Sequence, residues 1–223
     1  PSACPQCGYV LRFYDNIPII SYILLRARCR RCHIHIPMRY PLVELITGIA
    51  ALAVFLKFGL TPAAGLYFLF IAVLLVITYI DIDHQIIPDI LSLSGIPLFF
   101  LLSFLIPFIT WKDALIGILA GGGTLYVVAV GYQLLTKRDG MGGGDIKLLA
   151  MIGALIGWQG ILFTIFVSSL SGTLIGLLLT LPASRSMKSK LPFGPFLAAG
   201  AIAYVFFGPQ LIHWYLGFAR TTG

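Results

Sequence analysis

Two aspartates, Asp81 and Asp145, lie at the ends of long apolar segments and are the residues best placed to do chemistry. Asp81 directly follows the apolar run 74–80, and Asp145 follows three glycines and opens another apolar run. Ionisable groups at such positions are costly, so each is a candidate functional residue. Two carboxyl groups within hydrogen-bonding distance share a proton, so that one accepts a proton from water while the other polarises a carbonyl. That chemistry is typical of aspartic proteases.

A structural interpretation of the same acids stays open at this point. An aspartate at the end of a membrane span commonly caps a helix or sits in water at the interface. Asp83, just outside the apolar run, is expected to be interfacial, and Asp89, after Pro88, is expected to cap the following helix. Asp145 after its glycines also fits a cap. From composition and spacing alone, catalysis and capping are about equally favoured for the Asp81/Asp145 pair.

Four cysteines form two Cys-x-x-Cys pairs near the start of the chain, a second pattern with chemical meaning. Their spacing, with 21 residues between the pairs, predicts a closed tetrahedral zinc site of structural type. A polar loop of this length has too little apolar content to fold alone, so the metal would stabilise it. The histidines at 33 and 35 are spare candidates. The predicted ligands are Cys4, Cys7, Cys29 and Cys32.

The elements that carry these residues are predicted from composition. Of the 223 residues, 59% are hydrophobic and 10% charged, against about 25% charged in soluble domains. Long apolar runs predict an all-α polytopic membrane protein with about seven transmembrane helices, together with a small cytoplasmic zinc-binding loop domain. We expect a loop domain at 1–40 and a transmembrane helical domain at 41–223. The predicted spans are 41–57, 62–80, 90–109, 113–136, 145–157, 160–182 and 193–217.

Orientation follows from the basic residues. Twelve of the 15 Lys and Arg residues fall in one set of loops and three in the opposite set, so the richer side is predicted to be cytoplasmic. The cysteine loop and both aspartates then face the cytoplasm. The net charge of +7 is explained by this topology, and no nucleic-acid partner is expected.

Short motifs along the whole chain resemble those of one known family, the type IV prepilin peptidases. Gly142-Gly143-Gly144-Asp145 matches the family's GxGD motif, and Lys147 matches its GxGDxK extension. Asp81 lies seven residues before Pro88, as in the family segment with the other catalytic aspartate, which selects Asp81 over Asp83. Further matches, in the family's order, are Cys4–Cys7, Asp15–Pro18, Cys29–Cys32, Arg39–Leu45 and Leu191–Phe196.

The resemblance implies an aspartic endopeptidase with Asp81 and Asp145 as catalytic residues, supported by Gly142, Gly143, Gly144, Lys147 and Pro88. Its substrates would be prepilins and pseudopilins of type IV pili and type II secretion. It would remove their basic leader at the cytoplasmic side of a bacterial inner membrane. Many members also methylate the new amino terminus with S-adenosylmethionine. The family usually has eight spans, with one ahead of the cysteine loop, so an upstream segment is expected.

One residue departs from the family pattern, and two other functions stay open at this point. Ala27 stands where methylating members are expected to have glycine, which puts methylation in question. The alternative from another class is a small ion or solute transporter with a zinc-stapled loop, whose acids would line an ion path. An enzyme that cuts inside membrane helices, of the presenilin or signal-peptide-peptidase type, is the alternative within proteolysis.

Overall fold

The structure is a computed structural model that describes residues 3–17, 19–107, 109–137, 142–180 and 192–221. The described chain is helical and has no β-strand, only two isolated bridges, so the predicted all-α class is confirmed. A short 3-10 turn spans Phe13–Asn16. The helices are α1 Ile20–Leu24, α2 Arg39–Phe58, α3 Pro62–His84, α4 Asp89–Ser103, α5 Trp111–Thr136, α6 Gly143–Thr180 and α7 Gly194–Thr221.

Five of these helices (α2, α3, α5, α6 and α7) are long and apolar enough to cross a membrane, and α4 is a shorter apolar helix. α6 is interrupted at Gly157, whose φ of 70° lies in the left-handed region. The two halves of α6 correspond to the separately predicted stretches 145–157 and 160–182. With α4 and the halves of α6 counted, each of the seven predicted stretches overlaps a helical segment, although α4 ends at Ser103 and residues 108, 181 and 182 lie outside the described residues.

Contacts divide the chain into two compact units, Pro1–Gly59 and Leu60–Gly223. The first unit contains the cysteine loop and α2, and the second contains α3 to α7. The predicted boundary between residues 40 and 41 separates polar from apolar sequence and stays a prediction. The contact division instead groups the first long helix with the loop that precedes it.

In the second unit, α6 is the central helix and packs against α4, α5 and α7, while α3 packs against α7. Its first half is buried on nearly every side: Leu148, Leu149, Met151 and Ile152 are among its fully buried residues. Glycines bring α5 and α6 together, because a Cβ on Gly117 would collide with the α6 backbone. The start of α6, which carries the GxGD motif, therefore leads directly into the best-packed part of the unit.

Candidate active site and metal centre

A cleft of about 250 Å³ lies where one helix ends and three others begin. Its wall is formed by the last turn of α3, the loop before α4, the start of α6 and the residue before α7. Asp81 and Asp145 both line it, although they are 64 positions apart in the chain. Residues that line the cleft are Asp81, Gln85, Ile86, Ile87, Asp89, Gly142, Gly144, Asp145 and Phe193.

Asp81 lies in the last turn of α3 and is only 5% exposed. Its Oδ2 accepts a hydrogen bond of 3.0 Å from the backbone N–H of Gly194, the first residue of α7. α3 ends at once, because Gln85 adopts the left-handed conformation and its N–H donates to the Asp81 carbonyl. The carboxyl group therefore has a fixed place in the wall of the cleft.

Asp145 lies in the first turn of α6 and is partly exposed. Its N–H donates to the carbonyl of Gly142 at 3.2 Å, which closes the turn that starts the helix. Gly144 allows a close approach, since a Cβ there would lie 2.9 Å from the Cβ of Ile87. Gly143 and Gly144 are already helical. The lack of a side chain matters at Gly144, where it lets α6 pack against Ile87, whereas a Cβ on Gly143 would meet nothing within 4 Å.

Lys147 and Asp89 form an ion pair at the cleft. The Lys147 Nζ lies 2.7 and 2.8 Å from the two carboxylate oxygens of Asp89. The expectation that Asp89 caps α4 is wrong, because Pro88 occupies the cap position and α4 begins at Asp89 itself. The pair joins the start of α4 to the start of α6, and Pro88 sets where α4 begins.

Two other acids of the second unit, Asp83 and Asp113, lie outside the cleft lining. Asp83 is exposed and does not line the cleft, whereas Asp113 belongs to a capping box with Thr110 at the start of α5. Asp89, the third carboxyl group at the cleft, is paired with Lys147, whereas Asp81 and Asp145 are carboxyl groups of the kind that can share a proton and activate water. The catalytic role of Asp81 and Asp145 stays a prediction, and their position on one cleft is compatible with it.

The four cysteines of the first unit lie together, with all four Sγ atoms within 4.8 Å of one another. Cys4 and Cys32 are 3.8 Å apart at sulfur, and Cys7 and Cys29 are 3.9 Å apart. Four sulfurs at about 2.3 Å from a tetrahedral zinc ion are about 3.8 Å apart. The cluster therefore fits a four-thiolate metal ion, and the predicted ligands are brought together.

Each Cys-x-x-Cys pair forms the same tight backbone turn. The N–H of Cys4 donates to the carbonyl of Tyr9 at 2.9 Å, and the N–H of Gly8 donates back to the Cys4 carbonyl at 3.0 Å. The second pair repeats this pattern, with Cys29 bonded to Ile34 and His33 at 2.9 and 3.0 Å. Gly8 and His33 occupy equivalent left-handed positions, with φ of 66° and 55°.

Backbone N–H groups of the turns point at the sulfurs. Those of Cys7 and Gln6 lower the pKa of the Cys4 thiol to about 6. Those of Cys32 and Arg31 lower the pKa of the Cys29 thiol in the same way. Because the thiolate is the form that binds metal, each turn prepares its first cysteine for coordination.

The cysteine unit is supported by an ion pair, and Ala27 is one of its residues with a positive φ. Arg30 donates two hydrogen bonds, of 3.0 and 2.6 Å, to Oδ1 of the buried Asp15, and these hold the pKa of that carboxyl below its usual range. Ala27 has a φ of 58°, in the region that favours glycine, and its carbonyl accepts from Ile36 at 2.7 Å. The departure from glycine therefore falls at a left-handed position.

Sequence reasoning missed the role of Gly194 and the cleft positions of Ile87 and Phe193. Gly194 and Phe193 belong to the Leu191–Phe196 motif, for which the sequence predicts no individual role. A glycine between phenylalanine and proline at a predicted helix start was the available signal. Its contact with Asp81 joins residues 113 positions apart, which local spacing does not indicate.

Two family models match the chain. The type IV leader peptidase family covers residues 68–177, and the bacterial peptidase A24 N-terminal domain covers residues 1–58. The first match includes Asp81 and Asp145, and the second includes all four cysteines. No solved structure matches the chain.

Curated relatives match nearly the whole chain. A prepilin leader peptidase/N-methyltransferase of Pseudomonas aeruginosa is 40% identical over 218 residues, 98% of this chain and 75% of its own length. Proteins of the same name are 39% identical in Burkholderia pseudomallei, over 93% of the chain and 67% of their length, and 38% identical in Aeromonas hydrophila, over 96% and 74%. The chain belongs to the type IV leader peptidase family.

Proposed function

We propose that this protein is a membrane aspartic endopeptidase that removes the leader from prepilin-type substrates. The observation that carries the proposal is the position of Asp81 and Asp145, which come from separate helices and line one cleft. Membership of the leader peptidase family supports the reaction class. The relatives are named as peptidases with a second, methyltransferase activity, and the transporter alternative finds no support in them.

The proposed mechanism uses a proton shared between the two carboxyl groups. One carboxylate takes a proton from water while the water oxygen attacks the scissile carbonyl carbon, and the protonated partner donates to the carbonyl oxygen. In the resulting diol, the carboxyl group that took the proton from water passes it to the amide nitrogen and the C–N bond breaks. The other carboxylate takes a proton back from a diol hydroxyl, which becomes the product acid. The two carboxyl groups end the cycle with one proton between them, so no net acid or base is consumed.

A second step, methylation of the new amino terminus, is part of the proposal. S-adenosylmethionine would supply the methyl group, and the names of the relatives support this activity. At the left-handed Ala27 the backbone keeps its hydrogen bonds to Tyr22 and Ile36, so alanine costs strain there without removing the turn. We expect mass spectrometry of the cleaved product to show one added methyl group when the cofactor is present. A product that is never methylated would contradict this step.

The location and partners follow from topology and family. We propose a bacterial inner membrane location with the cleft toward the cytoplasm, since twelve of 15 basic residues lie in one set of loops. The partners are the lipid bilayer and the prepilins and pseudopilins of type IV pili and type II secretion. A cytoplasmic site is consistent with a basic leader that has not yet crossed the membrane. Protease protection of a tagged cysteine loop would test the orientation, and cleavage of the tag from the periplasmic side would contradict it.

The peptidase assignment is tested by cleavage of a prepilin with wild-type protein and with Asp81→Asn and Asp145→Asn. The amide has the size of the carboxyl but cannot exchange the proton, so each single substitution should lower kcat by about 1000-fold or more. Asp83→Asn is the matched control, because Asp83 is on the same helix as Asp81 and does not line the cleft. Normal cleavage by either cleft variant would contradict the assignment.

A further inference from the structure

The backbone at the start of α7 has one hydrogen-bond donor that the helix itself does not use. The first N–H groups of a helix have no partner within it and need one from elsewhere. Pro195 has no N–H, and the N–H groups of Phe196 and Leu197 donate to the carbonyl of Phe193. The N–H of Gly194 donates instead to Oδ2 of Asp81, a residue of α3.

This contact requires glycine. A Cβ on Gly194 would lie 2.6 Å from Oδ2 of Asp81 and 3.3 Å from its Cγ, closer than carbon and oxygen normally approach. The atom that must move is the far end of a side chain, so α7 keeps its path and the Asp81 carboxyl is displaced. The next contact, with Cδ1 of Ile87 at 3.4 Å, is ordinary packing.

We propose that Gly194 is a positioning residue for Asp81, an inference that rests on the catalytic role proposed above. A backbone N–H only donates, so Oδ2 acts as an acceptor throughout the cycle. Any proton that Asp81 holds is then on Oδ1, and exchange with water and with Asp145 takes place through that oxygen. Gly194 sets the orientation of the carboxyl and takes no part in bond making.

Substitution Gly194→Ala tests the proposal through a separation of kcat from KM. A displacement of a reacting group by about 1 Å costs up to about 100-fold in rate, so we expect kcat to fall by about 10- to 100-fold. KM for prepilin should stay within about twofold, because the added Cβ collides only with the Asp81 carboxyl and meets the cleft residue Ile87 at an ordinary packing distance. The melting temperature in detergent should stay close to that of the wild type.

Gly200→Ala is the control on the same helix. A Cβ on Gly200 would lie 2.9 Å from the backbone carbonyl of the buried Thr164 in α6, so the collision is with backbone and not with a movable side chain. We expect a lower melting temperature and an unchanged kcat per folded molecule. The two glycines therefore distinguish loss of positioning from loss of packing.

Three results would overturn the proposal. The first is a wild-type kcat in Gly194→Ala. The second is a fall in the melting temperature of Gly194→Ala equal to that of Gly200→Ala and large enough to account for the activity that Gly194→Ala loses. The third is a raised KM with unchanged kcat in Gly194→Ala. Asp81→Asn is measured in the same series. Normal cleavage by that variant would mean that the proposed catalytic pair has failed, whereas an inactive Asp81→Asn beside a fully active Gly194→Ala would reject the positioning role alone.

Discussion

At the scale of single residues, polar groups in this chain are held by backbone N–H groups at helix and turn ends. Asp81 accepts from Gly194 at the start of α7, and the sulfurs of Cys4 and Cys29 accept from backbone N–H groups of their turns. In both units the donors are fixed by the chain path before any substrate or metal binds. Such fixed donors need no reorganisation at the moment of binding or reaction.

The cysteine cluster leads to a prediction about metal content. Purified protein should contain one zinc ion per chain, and Cys29→Ser should lose it, because three thiolates and a hydroxyl bind zinc far more weakly than four thiolates. Zinc is measured by elemental analysis of the detergent-solubilised protein. His35→Ala is the control, since His35 lies outside the cluster and should leave the metal content unchanged. Full zinc content in Cys29→Ser would contradict the four-thiolate site.

At the scale of elements, the site depends on where helices stop. α3 ends at His84, α4 begins at Asp89, α6 begins at Gly143 and α7 begins at Gly194, and residues at or next to all four ends line the cleft. The Asp89–Lys147 pair connects two of these helix starts. Because both side chains are partly exposed, such a pair adds only about 0.2–1 kcal/mol to stability. We expect the packing of α6 against α4, α5 and α7 to contribute more to holding these helix ends together.

The break in α6 gives a prediction at this scale. Gly157 has a φ of 70°, and the nearest atoms to a Cβ there lie 3.5 Å away, so the cost of Gly157→Ala comes from the backbone and not from collision. Because its ψ of −180° places Gly157 in a backbone region that residues other than glycine rarely adopt, we expect destabilisation of about 1–3 kcal/mol. Thermal unfolding in detergent measures it against Gly176→Ala in the same helix, where a Cβ meets nothing within 4 Å. Gly176→Ala should stabilise the helix slightly, and equal effects of the two variants would contradict a left-handed Gly157.

Local sequence was sufficient for some of these features and insufficient for others, for identifiable physical reasons. The membrane helices and the cysteine cluster follow from long apolar runs and from ligand spacing, both of which are local. Asp89 was misassigned, because a position after proline favours a cap, whereas its partner Lys147 is 58 residues away. The contact of Gly194 with Asp81 could not be predicted from the sequence, because it is made by a backbone N–H and the pattern of side chains carries no information about it.

At the scale of the whole molecule, the chain consists of two units with different sources of stability. The first, Pro1–Gly59, contains a turn-rich loop with four clustered thiols, and the second is a helical bundle built around α6. The two family models follow nearly the same division, at residues 1–58 and 68–177. We therefore expect peptidase chemistry to reside in the second unit. The chain spans about three quarters of the length of its Pseudomonas aeruginosa relative.

The most direct test of the central claim, that Asp81 and Asp145 act as one catalytic unit, is a double-mutant cycle. Residual kcat/KM for prepilin cleavage is measured for Asp81→Asn, Asp145→Asn and the double variant. Residues that act as a unit are strongly non-additive, so the double variant should be no slower than the slower single variant, within about threefold. Losses that multiply in the double variant would show two independent contributions and contradict the shared-proton mechanism, as would a single variant that cleaves at the wild-type rate.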